Sequence, residues 1–225
     1  MSQQTQVDRV IPYREKWVQE IPDYKTLAQL PKLELLSHRS GLGFNSRALR
    51  LQNCAQEVVE QHKGQLPKDR AQLLELPWIW PYTASAICAF AWNLPEPVID
   101  TNIRRVLIFL LKLDEWFSLQ ELEKEAKKLI PEWRSRDRHN ALMDYGATYL
   151  TARKTKIKSL WKQSKFEGSD REVRGWILKQ LTKKKWKLAI ALIKQEFPHK
   201  EVEKIMHDMQ NEQLIKWEEK HVWIE

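Results

Sequence analysis

The chain has 225 residues, of which 42% are hydrophobic, and carries a formal net charge of +8. That length suits one medium domain, or one with a small appendage, and no apolar run approaches the ~18 residues that span a bilayer. No basic-then-apolar leader stands at the N-terminus, and Cys54 and Cys88 lie at no metal-ligand spacing, so the chain reads as a cytoplasmic protein with two reduced thiols and a charge compatible with a polyanionic partner.

In chain order, residues 3–19 carry Val7, Val10, Ile11, Trp17 and Val18 on one side, an amphipathic helix interrupted near Pro12. Residues 26–30 and 31–38 read as two short helices. The stretch "SGLGFNSRA" is a glycine-bearing turn into a long helix that stops near Lys63 and Gly64. Short helices over 67–76 and 81–92 follow, then the proline-stiffened "LPEPV" and a mostly apolar helix over 101–113. Two more helices, about 118–129 and 136–150, complete an all-α body. Residues 151–168 form a basic linker. Beyond it, 171–182, 187–196 and 200–212 read as three helices and "QLIKWEEKHVWIE" as a hairpin, the order of a winged helix-turn-helix-like module. The expected divisions are therefore 1–150, 151–168 and 169–225.

One local feature resists this reading. In "LPWIWPYTA", residues 76–84, Trp78 and Trp80 occupy a tight turn between two helices, where glycine or small residues are expected. The chain has 11 Trp and only 6 Gly, against about 16 glycines at the average usage of about 7%.

Four segments, "QQTQVDRVIPYREKW", "SGLGFNSRALRL", "LPWIWPYTASAICAFAW" and "VIDTNIRRVL", with "ALMDYGA" after them, fall in an order and spacing that resemble the helix-hairpin-helix superfamily of base-excision DNA glycosylases. The likeness is greatest to the MutY-type adenine DNA glycosylases and runs from Met1 to about Ala147. It implies a helix-hairpin-helix glycosylase core acting on double-stranded DNA with a mismatch or an oxidised guanine. It also implies a monomer at the bacterial nucleoid. The base removed would be adenine opposite 8-oxoguanine or guanine. A thymine–guanine mismatch glycosylase, a non-catalytic DNA-binding protein and a regulator driven by the C-terminal module stay open beside it.

Asp100 matches the family's catalytic aspartate. Alone it reads first as a helix N-cap; within the motif its carboxylate would stabilise the sugar cation as the base leaves. Asn102 matches a polar neighbour that would orient it. Tyr82 stands where strand-cutting relatives carry a Schiff-base lysine, which implies a monofunctional enzyme. Gln3, Gln4 and Thr5 match a segment around the extruded nucleotide, and Leu42, Gly43 and Phe44 a loop that wedges into the stack. Arg47, Lys63, Arg104 and Arg105 are candidates for phosphate contacts or for ordinary solvated positions.

The hairpin Trp78, Ile79 and Trp80, with Thr83, would hold a DNA phosphate on backbone N–H groups, in the family often helped by a bound monovalent cation. The family has glycines at 78 and 80, and "PEWR" suggests a third at 133. A UGA codon that some bacteria read as glycine and others as tryptophan would explain Trp78, Trp80 and Trp133, with Trp161, Trp176 and Trp186 as further candidates. Trp17 reads as a core aromatic.

Three departures accompany the likeness. The family's general-acid glutamate, which protonates the leaving adenine, matches a position two residues before Met1, so the chain as written is expected to be impaired or inactive, with a loss on the order of 10²–10⁴-fold. The cysteines that hold a four-iron cluster in most relatives are absent after "DYGA", so no cofactor is expected. The 57 residues after Gly168 do not resemble the family's 8-oxoguanine-recognition domain.

Overall fold

The computed structural model describes residues 7–39, 45–160, 165–184 and 187–225. The chain divides into two compact units, residues 1–65 together with 164–225, and residues 66–163. This division cuts across the segment boundaries at 150 and 168.

In the first unit, α1 (Val7–Glu20) continues through Pro12 rather than breaking there. The proline removes only the N–H bond to Asp8, close to the helix start, and the ladder resumes on its far side. The helices α2 (Tyr24–Gln29) and α3 (Lys32–His38) precede the long α4 (Ser46–His62), which stops at Lys63 in the left-handed region, φ 53°. Asp23 caps α2 by accepting from Thr26 N–H at 2.8 Å. At the other end of α2, the buried Gln52 amide of α4 donates to Leu27 O at 3.1 Å and Leu30 O at 2.6 Å. Leu27 O also accepts from Leu30 N–H at 3.4 Å, so the Gln52 amide adds to the satisfaction of the carbonyls at this helix end.

The second unit holds α5 (Arg70–Glu75), α6 (Pro81–Trp92), α7 (Thr101–Leu111), α8 (Leu119–Lys128), α9 (Ser135–Thr148) and the short α10 (Ala152–Thr155). A capping box starts α8, with Ser118 and Glu121 each satisfying the other's backbone N–H. Ile103 and Leu107 of α7 pack with Leu122 and Ala126 of α8, all buried.

The chain then returns to the first unit as α11 (Asp170–Lys184), β1 (Leu188–Ala189), α12 (Ile190–Glu196), α13 (Val202–Asn211), β2 (Lys216–Glu218) and β3 (His221–Trp223). The expected hairpin is present, and β1 adds a third antiparallel strand in the order β1-β3-β2, with both Leu188 and Trp217 opposite Val222. This is the helix and strand order of a winged helix. Its apolar face does not close on itself: Val173, Ile177, Leu181, Met206 and Met209 share one core with Leu27, Leu35, Leu36, Ala48 and Ala55. Trp17 and Trp176 both pack against that core, and Trp176 meets Phe197 edge-on at 5.7 Å. Trp176, named above among the further glycine candidates, packs here as a tryptophan.

Candidate active site

The site residues of the second unit gather where α6 and α7 begin. Asp100 is the half-buried N-cap of α7, and its Oδ1 accepts from Ile103 N–H at 2.6 Å. Tyr82, in the first turn of α6, lies within the field of that carboxylate. Burial first, and then the Asp100 charge, push the Tyr82 hydroxyl above its ordinary range, so it stays a neutral phenol.

Asn102 does not bond to the Asp100 carboxylate; its Oδ1 accepts from Arg105 Nη2 at 2.7 Å. Arg105 also donates through Nε to Leu150 O at 2.6 Å and through Nη2 to Gly146 O at 2.5 Å. Burial disfavours its charge while Asp100 favours it. Arg104 donates to Lys158 O at 3.2 Å and Glu115 O at 2.5 Å. Both arginines are buried and donate to carbonyl oxygens, which departs from both alternatives read from the sequence, a phosphate contact or a solvated position. The run "DTNIRR" hides this because an arginine on a helix defaults to solvent, although the i, i+3 spacing of Asn102 and Arg105 was available as a signal.

Gly146 matters for a different reason. A methyl group there would lie 2.9 Å from both Asn102 Cβ and its carbonyl oxygen and 3.0 Å from Val106 Cγ2. The missing side chain is what lets α9 approach α7 at the residue after next from Asp100.

The hairpin between α5 and α6 is a tight turn over Leu76–Pro77–Trp78–Ile79, with Ile79 N–H donating to Leu76 O at 3.3 Å. Proline second and a positive φ third is the type II pattern, whose third position favours glycine. Trp78 sits there at φ 67°. Pro131–Glu132–Trp133–Arg134 has a similar 4→1 bond at 3.3 Å, with Trp133 third at φ 62° and 83% exposed. Asn93, in the left-handed C-cap of α6, clamps this second turn by donating to Trp133 O and accepting from Arg136 N–H at 2.8 Å. Trp80 differs. It is the N-cap of α6 with φ −88° and ψ 164°, a conformation open to any residue, so the backbone there does not call for glycine.

Past Trp80 comes Pro81 at the first helical position, and the first intrahelical bond runs from Ala84 N–H to Trp80 O at 2.9 Å. The N–H groups of Tyr82 and Thr83 therefore precede the ladder, as donors at a helix end do. The side chains of Trp78 and Trp80 are exposed at this end. A groove of about 320 Å³ elsewhere in the unit, lined by Arg70, Glu96, Pro97, Gln120, Glu123, Lys124 and Lys127, contains none of these residues.

Gln3, Gln4, Thr5, Leu42, Gly43, Phe44, Trp161 and Trp186 lie outside the described residues. Among the described residues no group of three or more His, Cys, Asp or Glu is placed to share a metal ion, and no helix is long and apolar enough to cross a membrane. An iron–sulfur cluster of the four-thiolate kind does not fit the donors present. Cys54 is buried in α4 of one unit, Cys88 in α6 of the other, and burial pushes both thiols up.

The pattern of HhH-GPD superfamily base excision DNA repair proteins matches residues 1–132. The chain belongs to that superfamily, a family of DNA N-glycosylases. Over 198 residues it is 33% identical to an adenine DNA glycosylase of Mycolicibacterium smegmatis, covering 79% of this chain and 68% of that one. It is 37% identical over 156 residues to the adenine DNA glycosylase of Homo sapiens, covering 67% and 29%. The chain thus spans most of the bacterial relative and under a third of the human one. Among solved structures, a thermostable thymine-DNA glycosylase superposes with TM-score 0.61 at 26% identity, covering 67% of this chain and 71% of that one. An endonuclease III trapped covalently on DNA gives 0.60 at 25%, with the same coverage.

Proposed function

We propose that this protein is a monofunctional DNA glycosylase that hydrolyses the N-glycosidic bond of a flipped-out adenine opposite 8-oxoguanine or guanine. It would act as a monomer on the bacterial nucleoid, without an iron–sulfur cluster. The observation that carries the reading is Asp100, a carboxylate held by a cap bond through one oxygen, with a neutral phenol beside it and a braced Asn102 two residues on. As the base leaves with the bonding electrons, positive charge builds on the deoxyribose, and a fixed carboxylate stabilises it without reorganising. Tyr82 offers no amine, so no Schiff base forms and the product is an intact abasic site. The adenine assignment is supported by the curated relatives' names.

The deciding variant is Asp100→Asn. Asparagine caps a helix about as well as aspartate, so thermal stability should hold while single-turnover adenine release falls by on the order of 10²–10³. Retention of the wild-type rate would show that Asp100 is only a cap. A second reading, thymine opposite guanine, is favoured by the thymine-DNA glycosylase among the solved structures, and the same assay on a T·G duplex separates the two. Binding of both duplexes with release from neither would leave a non-catalytic DNA-binding protein.

In this reading the hairpin holds a backbone phosphate at the N-terminus of α6, with a monovalent cation as a helper. Glycine suits that task at residue 78, and the positive φ at 78 and 133 supports UGA codons read as glycine at both. TGG at codons 78 and 133 of the gene would reject this.

A further inference from the structure

α9 carries Ser135 and, one turn later, His139, both fully buried. His139 Nδ1 lies 2.6 Å from Ser135 O and 3.3 Å from Ser135 Oγ, while Nε2 accepts from Val98 N–H at 3.1 Å. A carbonyl only accepts and an amide N–H only donates, so these partners fix the tautomer, with the proton on Nδ1 and the lone pair on Nε2. Phe90 of α6 packs edge-on against the ring at 6.1 Å. Val98 is also fully buried, in the irregular segment between α6 and α7, and its N–H has no other acceptor among the described residues. A buried N–H left unpaired is costly, so the imidazole is the hold on this segment nearest Asp100 on its N-terminal side, beyond the Glu96 pairs with Arg70 and Lys127. The same helix holds the far side of Asp100 through Gly146 against Asn102 and through Arg105. α9 therefore brackets the carboxylate, at residue 98 before it and residue 102 after it.

We propose that His139 is a positioning residue for Asp100, acting through the Val98 amide and only as neutral imidazole. The inference rests on the glycosylase reading above. Protonation at Nε2 would set a donor against the Val98 N–H and release the segment's hold at Val98. Arg138, beside His139 on α9, is the charged group acting on the ring; α6 sets Phe90 against it, and the 93–100 segment donates the Val98 amide to it. Burial, with Arg138 adding to it and the Ser135 carbonyl opposing, lowers the imidazole below its ordinary value of 6.5. The contribution to stability is therefore complete above that unfolded value of 6.5 and lost as pH falls from it through the lowered folded one.

The test compares His139→Phe, which keeps a ring and removes the acceptor, with His139→Gln, which keeps an acceptor near the Nε2 position. Leu122→Ala, in the α7–α8 core, serves as a control that destabilises the same unit. Single-turnover base release, duplex affinity and thermal stability are measured from about pH 5 to about pH 8. The expected result is a loss of rate constant of roughly 10- to 100-fold for His139→Phe, from a misplaced carboxylate. Duplex affinity should stay within about twofold, most of the rate should return in His139→Gln, and the control should keep its rate. A folded His139→Phe with the wild-type rate overturns the proposal, as does a control that loses as much. If His139→Phe does not fold, the pH profiles decide: a wild-type rate constant that falls in acid more steeply than in His139→Gln supports the proposal, and parallel profiles overturn it. A wild type that releases no base from any duplex rejects the glycosylase reading instead. Val98 amide exchange then judges the contact: faster exchange in the wild type in acid but not in His139→Gln supports the hold, and equal acid dependence overturns it.

Discussion

Trp78 and Trp133 share a backbone problem that Trp80 does not. A side chain in the left-handed region costs about 1–2 kcal/mol, and at φ 67° and 62° both tryptophans carry it. Glycine removes that strain but gives back about 0.4–1 kcal/mol through the more flexible unfolded chain. Trp78→Gly and Trp133→Gly should therefore each raise the melting temperature slightly, with net gains of up to about 1 kcal/mol. Trp80→Gly, at φ −88°, should be neutral or destabilising in the same thermal scan. An equal gain at all three positions would mean that φ is not the cause. Tyr82→Lys tests the neighbouring residue. Placed in the field of Asp100, an amine should form a borohydride-trappable Schiff base with the sugar and introduce strand cleavage that the wild type lacks.

At the scale of elements, the α7–α9 contact determines how firmly Asp100 and Asn102 are held. Its closeness depends on Gly146, where a methyl group would meet backbone and Cβ atoms at 2.9 Å. Neither neighbour is the flexible end of a side chain, so Gly146→Ala should cost about 1–3 kcal/mol as an overpacked contact. A chemical denaturation curve reads that directly, and an unchanged midpoint would show that α9 moves away without cost. Arg105 reinforces the contact by donating to both Gly146 O and Leu150 O. The end of α9 is consequently fixed to α7 by a side chain that the sequence left between a phosphate contact and an ordinary solvated position. The hairpin is positioned differently, by Pro77, the Ile79-to-Leu76 bond and Pro81, all local in sequence.

Across the whole molecule, the C-terminal helices and strands complete a core begun by the first 65 residues. Leu27, Leu35 and Leu36 are buried in one cluster with Val173, Ile177, Leu181 and Met206. A module of under 60 residues closes a core of its own only marginally, and this one leaves a face of α11 to be covered by α3. A chain ending at residue 163 should lose the cooperative unfolding of residues 7–65 and aggregate through the exposed leucines. Comparing hydrogen exchange in the full and shortened chains checks this. Native-like protection of α2–α4 in the shortened chain would show that the first segment folds without its partner.

The sequence by itself determined what depends on near neighbours. Apolar periodicity located the helices, and proline and capping residues located their ends, because those signals act within a few residues. The place of Asp100 at a helix start and the anomaly of Trp78 were legible for the same reason. Pro12 misled, since one lost bond near a helix start does not break a helix whose other bonds survive. The tertiary structure alone decided that Arg105 braces Asn102, that His139 holds Val98, and that β1 joins β3. It also decided that residues 164–225 share a core with residues 1–65. These pairings join residues far apart in the chain, or choose one partner among several, and no local pattern specifies which buried donor meets which acceptor. That choice is made by packing, where every buried polar group must find a partner and every apolar face a cover.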